Sequence, residues 1–184
     1  MTTIGVVLAA GGGVRFDGPT HKLLAPFHDK VVVRHALESL VRAGLDECAV
    51  VVGAVDLTEV LPEGIIVLSN PNWADGQATS LACAVDYATA RGHDVLVIGL
   101  GDQPMGPASA WQTVGSSAAS PIVTASFNGQ RRPPVRLARE VWELLPRSGD
   151  EGARVVMAKH PEFVSVVECM GDPLDIDTVE DLER

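Results

Sequence analysis

The sequence predicts an α/β protein in which a mostly parallel sheet is covered on both faces. Short apolar runs recur along the chain, and helical segments fall between them. That alternation favours parallel strands joined by crossover helices. The residues with unusual chemistry cluster just after the apolar runs, where ligands bind in open parallel sheets. At 184 residues the chain suits one domain over residues 1–184 and is long enough to bury a large core.

The first strand is Thr3–Leu8, a short apolar run that reads as buried. It ends in Ala9, Ala10 and three consecutive glycines, Gly11, Gly12 and Gly13, followed by Arg15 and Lys22. A helix is predicted over Val33–Ala43, then strands over Cys48–Gly53 and Ile65–Ser69. After Asn70 an irregular loop leads to a helix over Gln77–Arg91 that begins near Gly76. The strand Val95–Leu100 runs into Gly101-Asp102-Gln103-Pro104, and a helix over Pro107–Ala118 follows. The strand Ile122–Ser126 precedes Asn128–Pro134, which is rich in Arg, Gly and Pro and is read as irregular, either a loop over the site or a surface turn. Helices are predicted over Arg139–Leu145 and Asp150–His160, with the strand Phe163–Glu168 after them. Thr178, followed by Glu180 and Asp181, reads as the start of a short last helix.

Composition narrows the function. The chain is 46% hydrophobic and 21% charged, ordinary for a globular protein. Its net charge of −10 argues against nucleic acid or membrane surfaces as partners, since both attract a positive field. One anionic nucleotide in a locally basic cleft stays compatible. Cys48, Cys83 and Cys169 are far apart and read as small buried residues in a reducing compartment. The N-terminus enters a strand at once, without a basic leader, and no apolar run reaches spanning length. A cytoplasmic monomer is expected.

The glycine run carries the first functional signal. Glycine lets the backbone approach a ligand closely, and successive N–H groups cradle phosphate oxygens. Arg15 and Lys22 add positive charge where a triphosphate would lie. The run is neither a P-loop, since Leu23 follows Lys22, nor a dinucleotide fingerprint, since Phe16 stands where its third glycine belongs. A tight strand-to-helix turn is the plainer reading. Asp102, delivered by a buried strand, is placed to hold Mg²⁺ or to cap a turn or the following helix. Asp175 and Asp177, two apart in an extended segment, point the same way and either complete a metal site or favour a helix N-terminus. Around Asn70, Gly76, Thr79 and Ser80 a helix start is available to a base, ribose or phosphate. There, Asp75 as a cap and Trp73 as a groove filler are the structural alternatives. The five histidines show no metal spacing and are read as surface or satisfied polar residues.

Taken together, Leu8-Ala9-Ala10-Gly11-Gly12-Gly13-Val14-Arg15 with Lys22, Gly76 through Leu81, Gly101-Asp102-Gln103-Pro104, Gly149 through Arg154, and Asp175-Ile176-Asp177-Thr178 resemble the nucleotidyltransferases that load a nucleotide onto molybdopterin. The alanine pair Ala9-Ala10 is most similar to the molybdenum cofactor cytidylyltransferase branch. The resemblance implies a Rossmann-like three-layer sandwich of the nucleotide-diphospho-sugar transferase type. It also implies Mg²⁺ and transfer of CMP from CTP to the phosphate of molybdenum-molybdopterin, with molybdoenzyme apoproteins as partners. On that reading Leu8, Ala9, Ala10, Asn70, Gly76 and Ser80 read base and ribose. Gly11–Gly13 hold the outer phosphates, Arg15 and Lys22 stabilise charge, and Asp102 with Asp177 holds the metal. Gln103, Arg131, Arg132 and Asp175 face the acceptor. Arg131-Arg132-Pro133-Pro134 departs from the relatives' acceptor segment, which reads roughly Gly-His/Asn-Pro. A GTP-using enzyme, a transferase for another acceptor such as a sugar phosphate, and a non-catalytic cofactor carrier are the alternatives.

Overall fold

The computed structural model describes residues 1–183 and forms a seven-stranded sheet between two helical layers. In chain order the elements are β1 (Thr3–Ala9), a small hairpin of β2 (Pro26–Phe27) and β3 (Lys30–Val31), and α1 (Val32–Arg42). β4 (Glu47–Val52), β5 (Ile66–Ser69), α2 (Gln77–Arg91), β6 (Val95–Leu100) and α3 (Ala108–Ser116) come next. β7 (Ile122–Phe127), β8 (Gln130–Ala138), α4 (Arg154–Lys159) and β9 (Val164–Glu168) complete the chain. The strand order is β5-β4-β1-β6-β8-β7-β9. Within this sheet β8 runs against its neighbours, being antiparallel to both β6 and β7.

Alternation along the strands builds two cores. From β1, Val7 and Ala9 face one layer with Leu37 and Leu40 of α1 and Trp111 and Val114 of α3. Ile4, Val6 and Leu8 face the other with Leu81, Ala84 and Ala88 of α2, and with Trp142 and Val156. The period of two places successive residues on opposite faces, so β1, β4, β6 and β7 each contribute to both cores. The three-layer sandwich expected from the sequence is therefore present.

Six predicted strands are found nearly at their predicted bounds, and α2 at its own. The segment Asn128–Pro134 differs: most of it lies in β8, an internal strand of the sheet. Prolines argue against a central strand because they cannot donate to a ladder. Here the β7–β8 register shifts, so that Thr124 pairs with Val135 while Ala125 pairs with Arg132. Pro133 and Pro134 fall in that bulge, and pairing with β6 begins only at Val135. The other corrections are shortened helices. Arg139–Leu144 is a 3₁₀ turn, α4 starts only at Arg154, and the last segment is a 3₁₀ turn over Glu180–Glu183. Gly149 and Gly152, both at positive φ, delay α4. No helix among the described residues is long and apolar enough to cross a membrane.

Candidate active site

The carboxyl ends of β1 and β6 lie side by side, Leu8 opposite Leu100. A cavity of about 450 Å³ opens there. Its wall is the whole run Leu8–Phe16, with Lys22, Trp73, Gly76, Gln77, Ser80, Asp102, Asp150 and Asp177. Thus Leu8, Ala9, Ala10, Gly11, Gly12, Gly13, Arg15, Lys22, Gly76, Ser80, Asp102 and Asp177, separated by up to 169 positions, share one space.

Charge is concentrated at one end. Lys22 Nζ donates to Asp102 Oδ2 at 2.6 Å and lies 3.6 Å from Asp177 Oδ1. The Arg15 guanidinium, itself largely exposed, donates to the same Asp177 oxygen at 3.0 Å. The other Asp102 oxygen, Oδ1, is buried and has no hydrogen-bond partner. Burial pushes the Asp102 carboxyl above the usual carboxylate range, the Lys22 ammonium works against that shift, and Asp175 adds to it. The helix-cap reading of Asp102 fails, because α3 starts after Pro107 with no side-chain cap. Its main-chain carbonyl instead accepts from Ile176 N–H at 2.9 Å and ties the C-terminal segment to the site.

Asp175 and Asp177 do not act together as the sequence spacing implied. Asp175 accepts from Gln103 Nε2 at 2.7 Å and from Arg132 Nη1 at 2.5 Å, whereas Asp177 turns to Arg15 and Lys22. The segment is outside the sheet ladder, so no pleat fixes both side chains to one side. Asp181 Oδ2 accepts the N–H groups of Asp177 and Thr178, closing the turn that presents Asp177.

The loop after β5 is built by hydrogen bonds of its own. Asn70, expected to help read the base, is buried and is not part of the cavity wall. Its amide donates to Thr79 Oγ1 and Ser80 Oγ, both at 2.9 Å, and so holds Ser80 at the wall. Asp75 does not cap α2, whose N-cap is Gly76 at φ +105 with no side-chain bond. A Cβ at Gly76 would overlap the main chain of Gly149 and lie 2.7 Å from Asp150 Oδ1. Ala78 N–H donates to the Gly149 carbonyl at 2.9 Å, so only glycine lets these two loops meet. Trp73 packs over the glycine run, its ring 3.0 Å from where a Gly12 Cβ would stand. Groove filling was one of the two readings of its segment. An aromatic in the loop entering α2 was the available signal.

A second cleft, of about 370 Å³, adjoins the first through Leu8, Gln77 and Leu100. Leu81, Ile98, Val135 and Met157 make it mainly apolar, and Arg131, Arg132, Glu151 and Arg154 supply its charges. Of the residues expected on the acceptor side, Arg131 and Arg132 line this cleft, whereas the buried Gln103 lines neither.

Among the described residues no three His, Cys, Asp or Glu side chains converge as a ready metal cage. The donor set still fits a hard divalent cation. Asp102 and Asp177 offer two carboxylates, one with a buried, unpartnered oxygen. A magnesium-type ion takes one or two carboxylates and completes its shell with phosphates and water.

The family model of the MobA-like NTP transferase domain matches residues 5–163. The chain is 28% identical over 200 residues to a nicotine blue oxidoreductase of Paenarthrobacter nicotinovorans, covering 98% of this chain and 94% of that protein. It is 30% identical over 140 residues to the bifunctional protein GlmU of Rhizobium leguminosarum bv. trifolii, covering 71% of this chain but only 30% of that protein. Among solved structures, Rv0371c of Mycobacterium tuberculosis superposes with a TM-score of 0.81 at 27% identity, over 100% of this chain and 96% of that one. A nucleotidyl transferase of Methanothermobacter superposes with a TM-score of 0.83 over 98% of this chain and 94% of that one. At 23% identity it speaks for the fold alone.

Proposed function

The chain belongs to the MobA-like NTP transferase domain family, and from that premise we propose that it transfers CMP from CTP to the phosphate of a pterin acceptor of the molybdopterin type, releasing pyrophosphate. One observation carries this reading. A glycine-rich, Lys-, Arg- and Asp-bearing cavity adjoins a mainly apolar cleft, sharing Leu8, Gln77 and Leu100 with it, so a triphosphate and a ring-bearing acceptor would meet there.

Both reactants are anionic, so the work is charge neutralisation and in-line placement. Backbone N–H groups of Gly11–Gly13 hold the outer phosphates. Arg15 and Lys22 balance charge on the leaving group and the α-phosphate. Asp102 and Asp177 would hold a magnesium-type cation, which would supply neutralisation of the phosphate charge. An acceptor phosphate oxygen bonds to the α-phosphorus, the bond to the bridging β-oxygen breaks, and pyrophosphate takes that electron pair. No general base is needed, because an ionised phosphate is already a nucleophile. Asp175, occupied by Arg132 and Gln103, holds the C-terminal segment in place instead of binding metal. The apolar side chains Leu81, Ile98, Val135 and Met157 favour a ring-bearing acceptor, and Arg131, Arg132 and Arg154 in the same cleft would meet its phosphate. Product analysis by mass spectrometry tests this. The protein is incubated with CTP or GTP, Mg²⁺, and either molybdopterin or a sugar-phosphate panel. A cytidylated pterin supports the reading, and a nucleotidylated sugar overturns the acceptor assignment.

The full-length likeness to a protein named as an oxidoreductase favours a second reading. There the cavity holds a redox nucleotide and the cleft its substrate. Consumption of a reduced nicotinamide nucleotide, without pyrophosphate release, would select it.

A further inference from the structure

His21 lies just outside the cavity wall and joins two parts of it. Its Nδ1 accepts the N–H of Leu23 at 3.2 Å and so caps the 3₁₀ turn Lys22–Leu24. A nitrogen that accepts carries no proton, so the proton of the neutral ring is on Nε2. Nε2 then donates to the Gly11 carbonyl at 3.0 Å. Burial pushes the imidazole pKa below its ordinary 6.5, the Gly11 carbonyl opposes this, and the neighbouring Lys22 ammonium reinforces it. The neutral ring is therefore the form that fits. The ring also leaves no room for a side chain at Gly13. A Cβ at Gly13, which sits at φ +62, would lie 3.3 Å from His21 Nε2 and 3.2 Å from Lys22 Cγ.

We propose that His21 is a positioning residue. One ring, bonded through both nitrogens, fixes the spacing between the glycine run and the turn that carries Lys22, and so preorganises the cradle for the outer phosphates of the nucleotide. This rests on the nucleotidyltransferase reading above. It assigns His21 to the phosphate end of the site and not to the base. Without the ring, Gly11 loses a donor at its carbonyl, Leu23 N–H loses its acceptor, and the two walls no longer share a fixed point. Binding of the outer phosphates then includes the cost of ordering the loop.

Calorimetric titration of the full chain with pyrophosphate, CTP and CMP, each with Mg²⁺, separates the possibilities. His21→Ala is expected to weaken pyrophosphate and CTP by about tenfold or more, the scale of one or two lost hydrogen bonds. CMP, which lacks the outer phosphates, should bind within about twofold of wild type. His21→Asn keeps a short cap acceptor for Leu23 N–H but not the reach to Gly11, and should fall between. It also serves if His21→Ala fails to fold. Unchanged pyrophosphate affinity in either folded variant overturns the proposal. So does equal weakening of CMP and pyrophosphate, which would mark a general structural role. If wild-type protein binds none of the three, the nucleotidyltransferase reading itself fails, and this proposal with it.

Discussion

Asp102→Asn separates chemistry from folding at the centre of the site. The substitution keeps the shape and removes one charge. Two effects on stability oppose each other. The Lys22–Asp102 contact of 2.6 Å loses its charge, and hydrogen bonds to charged groups are worth about 1.5–3 kcal/mol. Against that, burial holds the Asp102 pKa above the ordinary carboxylate range, so at neutral pH the folded state bears a cost for ionising it. A neutral side chain removes that cost, and Lys22 keeps Asp177 at 3.6 Å. The net change should stay within about 2 kcal/mol, a Tm shift of no more than about 8 °C for a chain of this length. Turnover is a different matter. Loss of one preorganised electrostatic group typically costs ~10²–10³ in rate, and here the lost group also offers a buried, unpartnered carboxylate oxygen at the cavity wall. The assay is pyrophosphate release, followed alongside thermal unfolding. Wild-type turnover in Asp102→Asn would refute the assigned role. A Tm collapse that accounts for all lost activity would return Asp102 to a structural ion pair.

Other perturbations test neighbouring parts of the account. Lys22→Ala should lower turnover by at least ~10² in the same assay, since it removes the cation that bridges Asp102 and Asp177. Gly76→Ala should destabilise by more than ~2 kcal/mol in denaturant unfolding, because positive φ and overlap with the Gly149 main chain add together. Away from the site, Lys30 and Arg34 hydrogen-bond Glu38 and hold its carboxyl down to about 2 from the ordinary 4.5. A depressed carboxylate stabilises fully above the unfolded value and loses that contribution as pH falls from 4.5 towards 2. Glu38→Gln should therefore cost about 1–2 kcal/mol at pH 7, discounted for solvent screening, and the gap to wild type should narrow below pH 4.5. Denaturant titrations at pH 7 and pH 3.5 check both the size and the sign.

The sequence disclosed those features whose signal is local. β1 and β6 are continuous apolar runs buried on both faces, and each ends in the residues that make the site. The glycine run and Asp102 could be found because a strand's carboxyl end has one meaning in a parallel sheet. β8 was hidden because its prolines are tolerated only by a bulge, and a bulge is a property of two paired strands. The partners of Asp175 and Asp177 were hidden for a similar reason. They are set by Arg132 and Gln103 on one side and by Arg15 and Lys22 on the other, none of them near in sequence. The loop that holds Asn70 was legible, but its hydrogen bonds to Thr79 and Ser80, which support the wall from behind, depend on how the loop folds back on the helix start. His21 is a satisfied polar residue, one of the two readings its type allowed, but its partners, the Gly11 carbonyl and the Leu23 N–H, are set by the fold and not by its spacing.

The most direct test is pyrophosphate release by the wild-type chain with molybdopterin, Mg²⁺ and each of the four ribonucleoside triphosphates in turn. The account predicts stoichiometric pyrophosphate with CTP, dependent on both the metal and the acceptor. Absence of pyrophosphate with every triphosphate, in protein shown to be folded, would contradict it.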